Sequence, residues 1–243
     1  MDREENVMAK LRLDKYLADQ GIASRKELRE LIRSGRAAVN GIPERSPERK
    51  IDPETDRVSF DSRIVSASRF HTFMMDKPLG VVTATEDKRE KTVLDLLPPE
   101  LRRMGLFPVG RLDKDTSGLL LLTNDGDFAH RVISPKSAVE KCYCAIVEGM
   151  PSAEDIAAFQ AGLELRDGTR CLPSRLEILG PGKCLVYVTE GKYHQVRRML
   201  ASRGLPVLEL RRLSIGSLYL DENLGPGGWK ELTEEDLCRV FSV

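Results

Sequence analysis

At 243 residues and 41% hydrophobic content, the chain can bury a core in one medium domain, or in a small domain and a larger one; it is too apolar for disorder to be the default. Basic and acidic residues balance at 38 each, which excludes a uniformly basic nucleic-acid binder, and no apolar run is long enough to span a membrane. Met1-Asp2-Arg3-Glu4-Glu5-Asn6 is no secretory signal, and five cysteines without a CxxC pair suggest neither a disulfide framework nor zinc, so a cytoplasmic protein is expected.

The even balance hides two basic stretches. Eleven basic residues face six acids between Lys10 and Lys50, and six (Lys192, Arg197, Arg198, Arg203, Arg211, Arg212) face Glu209 alone between Lys192 and Arg212. Two separated patches suit a polyanion held at two places. In chain order, Leu13, Tyr16 and Leu17 predict a helix over 11–20, closed by Gly21. Ser24-x-x-Glu27 has the form of a capping box, so a second helix starts at Arg25, with Leu28, Leu31 and Ile32 inward and its arginines elsewhere. Gly35 ends it, and Asn40-Gly41 signals a tight hairpin. From 61 to 69 the apolar periodicity lapses, as in a linker, which leaves an N-terminal unit over 1–64 that is expected to be mobile relative to 65–243.

The second unit opens with a strand at 71–75, a turn at 76–80, another strand at 81–85, and a short helix at 92–97 stopped by Pro98-Pro99. Then comes Val109-Gly110-Arg111-Leu112-Asp113-Lys114-Asp115-Thr116-Ser117-Gly118, with the apolar run 119–122 behind it. Such runs are buried strands, so Asp113 and Asp115 stand at the mouth of a core. A helix over 127–133 follows, then a strand over 140–147 with Lys141, Tyr143 and Ala145 on one face and Cys142 and Cys144 on the other. Ser152 caps a helix running towards Gly162. The strand at 184–189 leads into a helix through 193–201 whose buried stripe is Val196, Met199 and Leu200. Strands at 207–211 and 215–220 and a Thr233-capped helix complete the chain.

An Asp-x-Asp pair after an apolar stretch also suits aspartate-nucleophile phosphatases. Here the pair lies mid-chain, Gly110-Arg111 interrupts the run before it, and no later acidic pair follows a buried strand. A different resemblance covers almost the whole chain. Residues 10–60, through Arg12-Leu13-Asp14, Ser24-Arg25, Gly35-Arg36 and Val39-Asn40-Gly41, resemble the S4 RNA-binding module. Gly110-Arg111-Leu112-Asp113-x-x-Thr116-x-Gly118 resembles the signature of pseudouridine synthases. Asp76-Lys77-Pro78-x-Gly80 (Asp76 where the family usually has Asn), Lys141-x-Tyr143 and Glu190-Gly191-Lys192-Tyr193-His194-Gln195-Val196-Arg197-Arg198-Met199 match in the family's order.

The resemblance implies an α+β fold: a mixed, mainly antiparallel sheet in the catalytic domain and a small N-terminal α/β S4 module. It implies isomerisation of one uridine in ribosomal RNA, without metal or other cofactor, by a monomer. Asp113 would act at the ribose as nucleophile or base, Arg197 would pair with Asp113 and keep it ionised, and Tyr143 would stack on the uracil and accept its C5 proton. Arg111 would fill the space left by the flipped base or hold the RNA backbone. Lys77, Lys141, Lys192, His194, Arg198 and Leu200 would belong to the substrate cleft, and Arg12, Arg25, Arg29 and Arg36 would grip RNA from the S4 module. Asp115 is expected to be a bystander. Ile133-Ser134-Pro135 and Tyr193-His194-Gln195 resemble the 16S, small-subunit branch; the alternatives are the same chemistry on 23S RNA, or a ribosome-assembly factor that only binds RNA.

Overall fold

The computed structural model describes residues 10–65 and 70–242. The segment read as lacking a signal peptide, and residues 66–69 of the expected linker, lie outside the described residues. The chain divides into two compact units, 1–71 with 97–106, and 72–96 with 107–243, so the chain passes between them three times. The expected boundary at 64/65 differs from this division chiefly in giving 97–106 to the second unit.

The first unit contains β1 (Leu11–Arg12), α1 (Leu13–Asp19), α2 (Arg25–Arg33), β2 (Ala37–Val39), β3 (Ile42–Glu44), β4 (Lys50–Ile51), β5 (Val58–Phe60), β6 (Arg63–Ile64) and α3 (Pro99–Arg103). Leu11 and Arg12 are extended rather than helical because they pair with β4. Helix α2 starts at the Ser24–Glu27 capping box as expected. Asn40 and Gly41 both take left-handed φ, 53° and 80°, to turn the β2–β3 hairpin. A second turn of this kind, Asp61 at 48° and Ser62 at 65°, joins β5 to β6, so Asp61 is a hairpin corner and not the start of a linker. Leu13, Tyr16, Leu17, Leu28, Ile32, Val39, Ile51 and Val58 form the unit's core. Pro98-Pro99, expected to stop a helix, instead starts α3, because proline at the first helical position gives up no hydrogen bond. At Gly21 a Cβ would lie 2.3 Å from the Glu100 carbonyl oxygen, and Arg103 Nε donates to the Gly21 carbonyl at 3.2 Å.

The second unit contains β7 (Thr72–Lys77), β8 (Phe107–Pro108), β9 (Thr116–Thr123), α4 (Gly126–Ile133), β10 (Lys141–Val147), α5 (Ala153–Ala161), β11 (Arg175–Gly180), β12 (Lys183–Val188), α6 (Gln195–Ser202), β13 (Val207–Ile215), β14 (Leu218–Tyr219), β15 (Trp229–Glu231) and α7 (Glu234–Arg239). They form a nine-stranded sheet in the order β11-β12-β10-β13-β9-β7-β15, with β8 on β9 and β14 on β13. The β9–β13 pairing is parallel and the others between named strands are antiparallel, which is the mixed, mainly antiparallel α+β architecture expected. Leu119 to Leu122 are fully buried in β9. One apolar cluster gathers Phe159, Val186, Met199 and Leu200; another gathers Met74, Leu119, Leu121, Phe128 and Val132.

Several local expectations differ. Asp76 and Lys77 continue β7 instead of turning. Residues 81–85 form no strand, only a bridge from Val82 to Thr92, and the Thr83 side chain is hydrogen-bonded to Leu112. The helix expected at 92–97 is a single 3-10 turn, Leu94–Leu96. β13 runs unbroken across the gap between the two strands expected there. All five cysteines are free, and burial pushes the Cys142 and Cys184 thiols up to about 11. Among the described residues no helix is long and apolar enough to cross a membrane.

Candidate active site

A cavity of about 830 Å³ opens in the second unit where the loop before β9 meets β10, β13 and the start of α6. Arg111, Asp113, Lys141, Tyr143, Lys192, His194 and Arg212 are on its wall. Its size lies in the range of pockets that enclose a small ligand.

The 112–116 loop that carries Asp113 is clamped from several directions. Thr83 Oγ1 donates to the Leu112 carbonyl at 2.7 Å and accepts from the Leu112 amide at 3.2 Å. Gly80 N donates to the Lys114 carbonyl at 2.8 Å, and Lys114 Nζ pairs with Glu90 at 2.7 Å. Lys77 Nζ, fully buried, donates to the carbonyls of Thr116 (2.9 Å) and Pro78 (3.0 Å). Burial pulls Lys77 down to about 8, against the raising influence of Asp113 and Asp115. Lys77 is therefore a brace beneath the loop, with no exposed ammonium to offer RNA.

Arg197, expected to pair with Asp113, instead meets Asp115: Nη2 lies 3.1 Å from Asp115 Oδ2 and donates to its carbonyl at 2.8 Å. Asp113 itself faces His194, whose Nε2 lies 3.3 Å from Asp113 Oδ1. Asp115 is thus no bystander; it carries the link between the loop and α6. His194 reaches Asp113 from a left-handed backbone, φ 46°, just ahead of α6. Only Lys114 separates Asp113 from Asp115, and sequence spacing gave no means of telling which of the two acids Arg197 would face.

Tyr143 lies half-buried on β10, and Arg212 Nη1 donates to its hydroxyl at 3.4 Å while Nε donates to the Leu119 carbonyl at 2.7 Å. Lys141 is buried and pulled down to about 8, first by burial and then by Arg212. Arg111 is exposed at the rim, and among the described residues no hydrogen bond or ion pair holds it.

Besides Lys77, two expected cleft residues lie off the cavity wall. Leu200 is fully buried in the apolar cluster, where the helical stripe already placed it. Arg198 is outside the cavity wall and pairs with Asp167 at 2.5 Å. The second basic stretch is also not a free cationic patch. Asp155 meets Arg203 at 2.8 Å, Asp76 meets Arg211 at 2.9 Å, and Glu190 meets Lys192. Asp155 and Asp76 come from distant segments, which a local charge count cannot see, and Glu190 lies two residues ahead of Lys192, just outside the stretch that was counted. Asp76, the departure from the family's usual asparagine, is matched by that Arg211 pairing.

In the first unit Arg12, Arg25 and Arg29 converge on one fully buried carboxylate, Asp14. Arg12 Nε and Nη2 donate to it at 3.1 and 3.0 Å, Arg25 Nη2 at 3.1 Å and Arg29 Nε at 3.3 Å. Burial works to raise Asp14, but the hydrogen bonds from Arg12, Arg29 and Arg25 outweigh it and hold the carboxyl below its ordinary value. The three guanidinium groups remain partly exposed, as does Arg36, which pairs with Asp61. Thr83 and the hub role of Asp14 were not foreseen, and Arg212 was counted only within the second basic stretch; the Asp14 position carried a motif signal.

Residues 71–202 match the RNA pseudouridylate synthase family, and residues 11–58 match the S4 domain. An uncharacterized RNA pseudouridine synthase of Bacillus subtilis is 45% identical, over 93% of this chain and 97% of its own. The ribosomal small subunit pseudouridine synthase A of Vibrio cholerae is 41% identical, over 95% of this chain and 100% of its own. A crystal structure of a pseudouridylate synthase aligns with a TM-score of 0.67 and 34% identity, over 95% of this chain and 99% of that one.

Proposed function

The chain belongs to the RNA pseudouridylate synthase family and carries an S4 domain, and from that membership we propose that it converts one uridine of 16S ribosomal RNA to pseudouridine, with Asp113 acting at the ribose. The reaction breaks the N1–C1′ bond, turns the base within the site and joins C5 to C1′. The C5 hydrogen leaves as a proton while N1 takes one up, so no outside reactant is consumed. The observation that carries the reading is a carboxylate on a tightly braced loop facing a nucleotide-sized cavity that it shares with Tyr143.

Within that cavity Asp113 attacks C1′ or removes the 2′ proton, and Tyr143 supports the loose uracil and takes the C5 proton. Arg197 contributes by fixing Asp115, and through it the loop. Lifting the uridine from its stack costs a few kcal/mol, which phosphate contacts offset. The partly exposed arginines around Asp14, with Arg36, supply such contacts from the S4 domain, and Arg111 supplies one at the cavity rim. The small-subunit target is supported by the name of the Vibrio cholerae relative and by the Tyr193-His194-Gln195 segment.

Tritium release from C5-labelled 16S transcripts tests the chemistry. Wild type should release tritium and Asp113→Asn should release none; release that persists in the variant refutes the role of Asp113. Mapping pseudouridine in ribosomal RNA from a strain lacking the protein tests the target, with one 16S position expected to be unmodified.

A further inference from the structure

Tyr193 is an anomaly on the surface of the second unit: it is 76% exposed, yet its position is fixed. Its ring stacks on His194 with centroids 3.9 Å apart and planes 17° from parallel, and its carbonyl accepts from Arg198 Nη1 at 3.3 Å. His194 in turn reaches Asp113 at 3.3 Å. Tyr193 also stands between two cavities, the one containing Asp113 and a second of about 530 Å³. The second is lined by Leu165, Ala201, Ser202, Arg198, Asp167 and Arg166. Arg166 is exposed, and among the described residues it has no ion pair or hydrogen bond.

We infer that this second cavity is a subsite for a nucleotide flanking the target uridine, whose base stacks on Tyr193 and whose phosphate meets Arg166. The inference rests on the proposed function for the identity of the polymer. A planar aromatic face over an aliphatic wall, with an unpaired guanidinium beside it, matches a nucleotide's flat apolar base and anionic phosphate. Its neighbour through His194 is the carboxylate expected to work on the ribose, so a strand with its uridine in the first cavity brings an adjoining nucleotide to the second. Ordering an exposed ring in advance lowers the entropic cost of stacking a base on it. Arg198, turned away from the catalytic cavity, acquires a role here as the support of Tyr193 and a wall of the subsite.

Two measurements test the inference. In tritium-release kinetics on 16S transcripts, Tyr193→Ala should raise KM roughly ten-fold or more with kcat little changed, and Tyr193→Phe should recover most of the loss, because stacking needs the ring and not the hydroxyl. An unchanged KM in Tyr193→Ala overturns the subsite. The second measurement needs no turnover and so stands apart from the proposed function. Short single-stranded oligouridylates carrying 2-aminopurine on either side of one uridine should be quenched on binding the wild type, and Tyr193→Ala should abolish the quench for one of the two positions. Equal quenching by both proteins, or quenching by neither, refutes the inference even if 16S RNA proves to be the substrate.

Discussion

Asp14 and Lys77 are both buried charges, and they affect stability in opposite ways. Asp14 is held below its ordinary value, so its contribution is present above the ordinary carboxylate range and is lost as pH falls through its folded value. Asp14→Asn should cost about 1–3 kcal/mol at neutral pH, with the gap from wild type closing in acid, as read by urea unfolding. Lys77 is pulled from 10.5 to about 8, so the folded chain binds fewer protons than the unfolded one between those values. Its burial penalty is therefore fully present below about pH 8 and is relieved as pH rises towards 10.5. Lys77→Met should flatten the rise in urea midpoint between pH 7.5 and 9.5, and should lower tritium release by loosening the Asp113 loop. Asp115→Ala should also slow turnover, because Arg197 loses its carboxylate partner on the loop and keeps only the backbone carbonyls of Asp115 and Val207. At this scale sequence motif pointed to Asp113 and Tyr143, which share one cavity wall. Motif and spacing could not assign the partners of each charge: Arg197 meets the neighbouring acid, and the acids that neutralise Arg203 and Arg211 lie 48 and 135 residues away.

Among the elements, the parallel seam between β9 and β13 places the most constraint on sequence. Leu210, Arg211 and Arg212 pair there with Thr116, Ser117 and Gly118. A Cβ on Gly118, at φ 102°, would lie 2.2 Å from the Arg212 carbonyl oxygen and 2.8 Å from its amide nitrogen. Gly118→Ala should therefore cost about 3 kcal/mol and lower the unfolding temperature by roughly 6–12 °C, measured by calorimetry. Elements with strong local signals were legible in sequence: the capped helices α2, α5 and α7, the Asn40-Gly41 hairpin and the solidly apolar β9. Short edge strands were not. β15 is three residues long and is defined by its pairing with β7, which no local pattern announces. The Asp61-Ser62 turn was missed because polar residues in left-handed conformation resemble a linker when only their composition is visible.

For the molecule as a whole, sequence anticipated the two-part organisation and the mainly antiparallel sheet because the family motifs fall in order along it. The three passages of chain between the units were hidden, since α3 looks like part of a loop between catalytic strands and owes its place to contacts with the first unit, such as Arg103 with Gly21. A chain starting at residue 72 should leave 97–106 without those partners and be cut there first by limited proteolysis. The β9–β13 seam has a further consequence. It joins two cassettes, one made by β7, β8, β9 and α4, which bears Asp113, and one beginning at β10, which bears Tyr143, His194 and Arg197. A break in the exposed connection at 134–137 would put each side of the reaction on its own fragment. Two such fragments, each inert, make a natural reporter: activity would return only when their sheets zip together, so catalysis itself would record the final step of assembly.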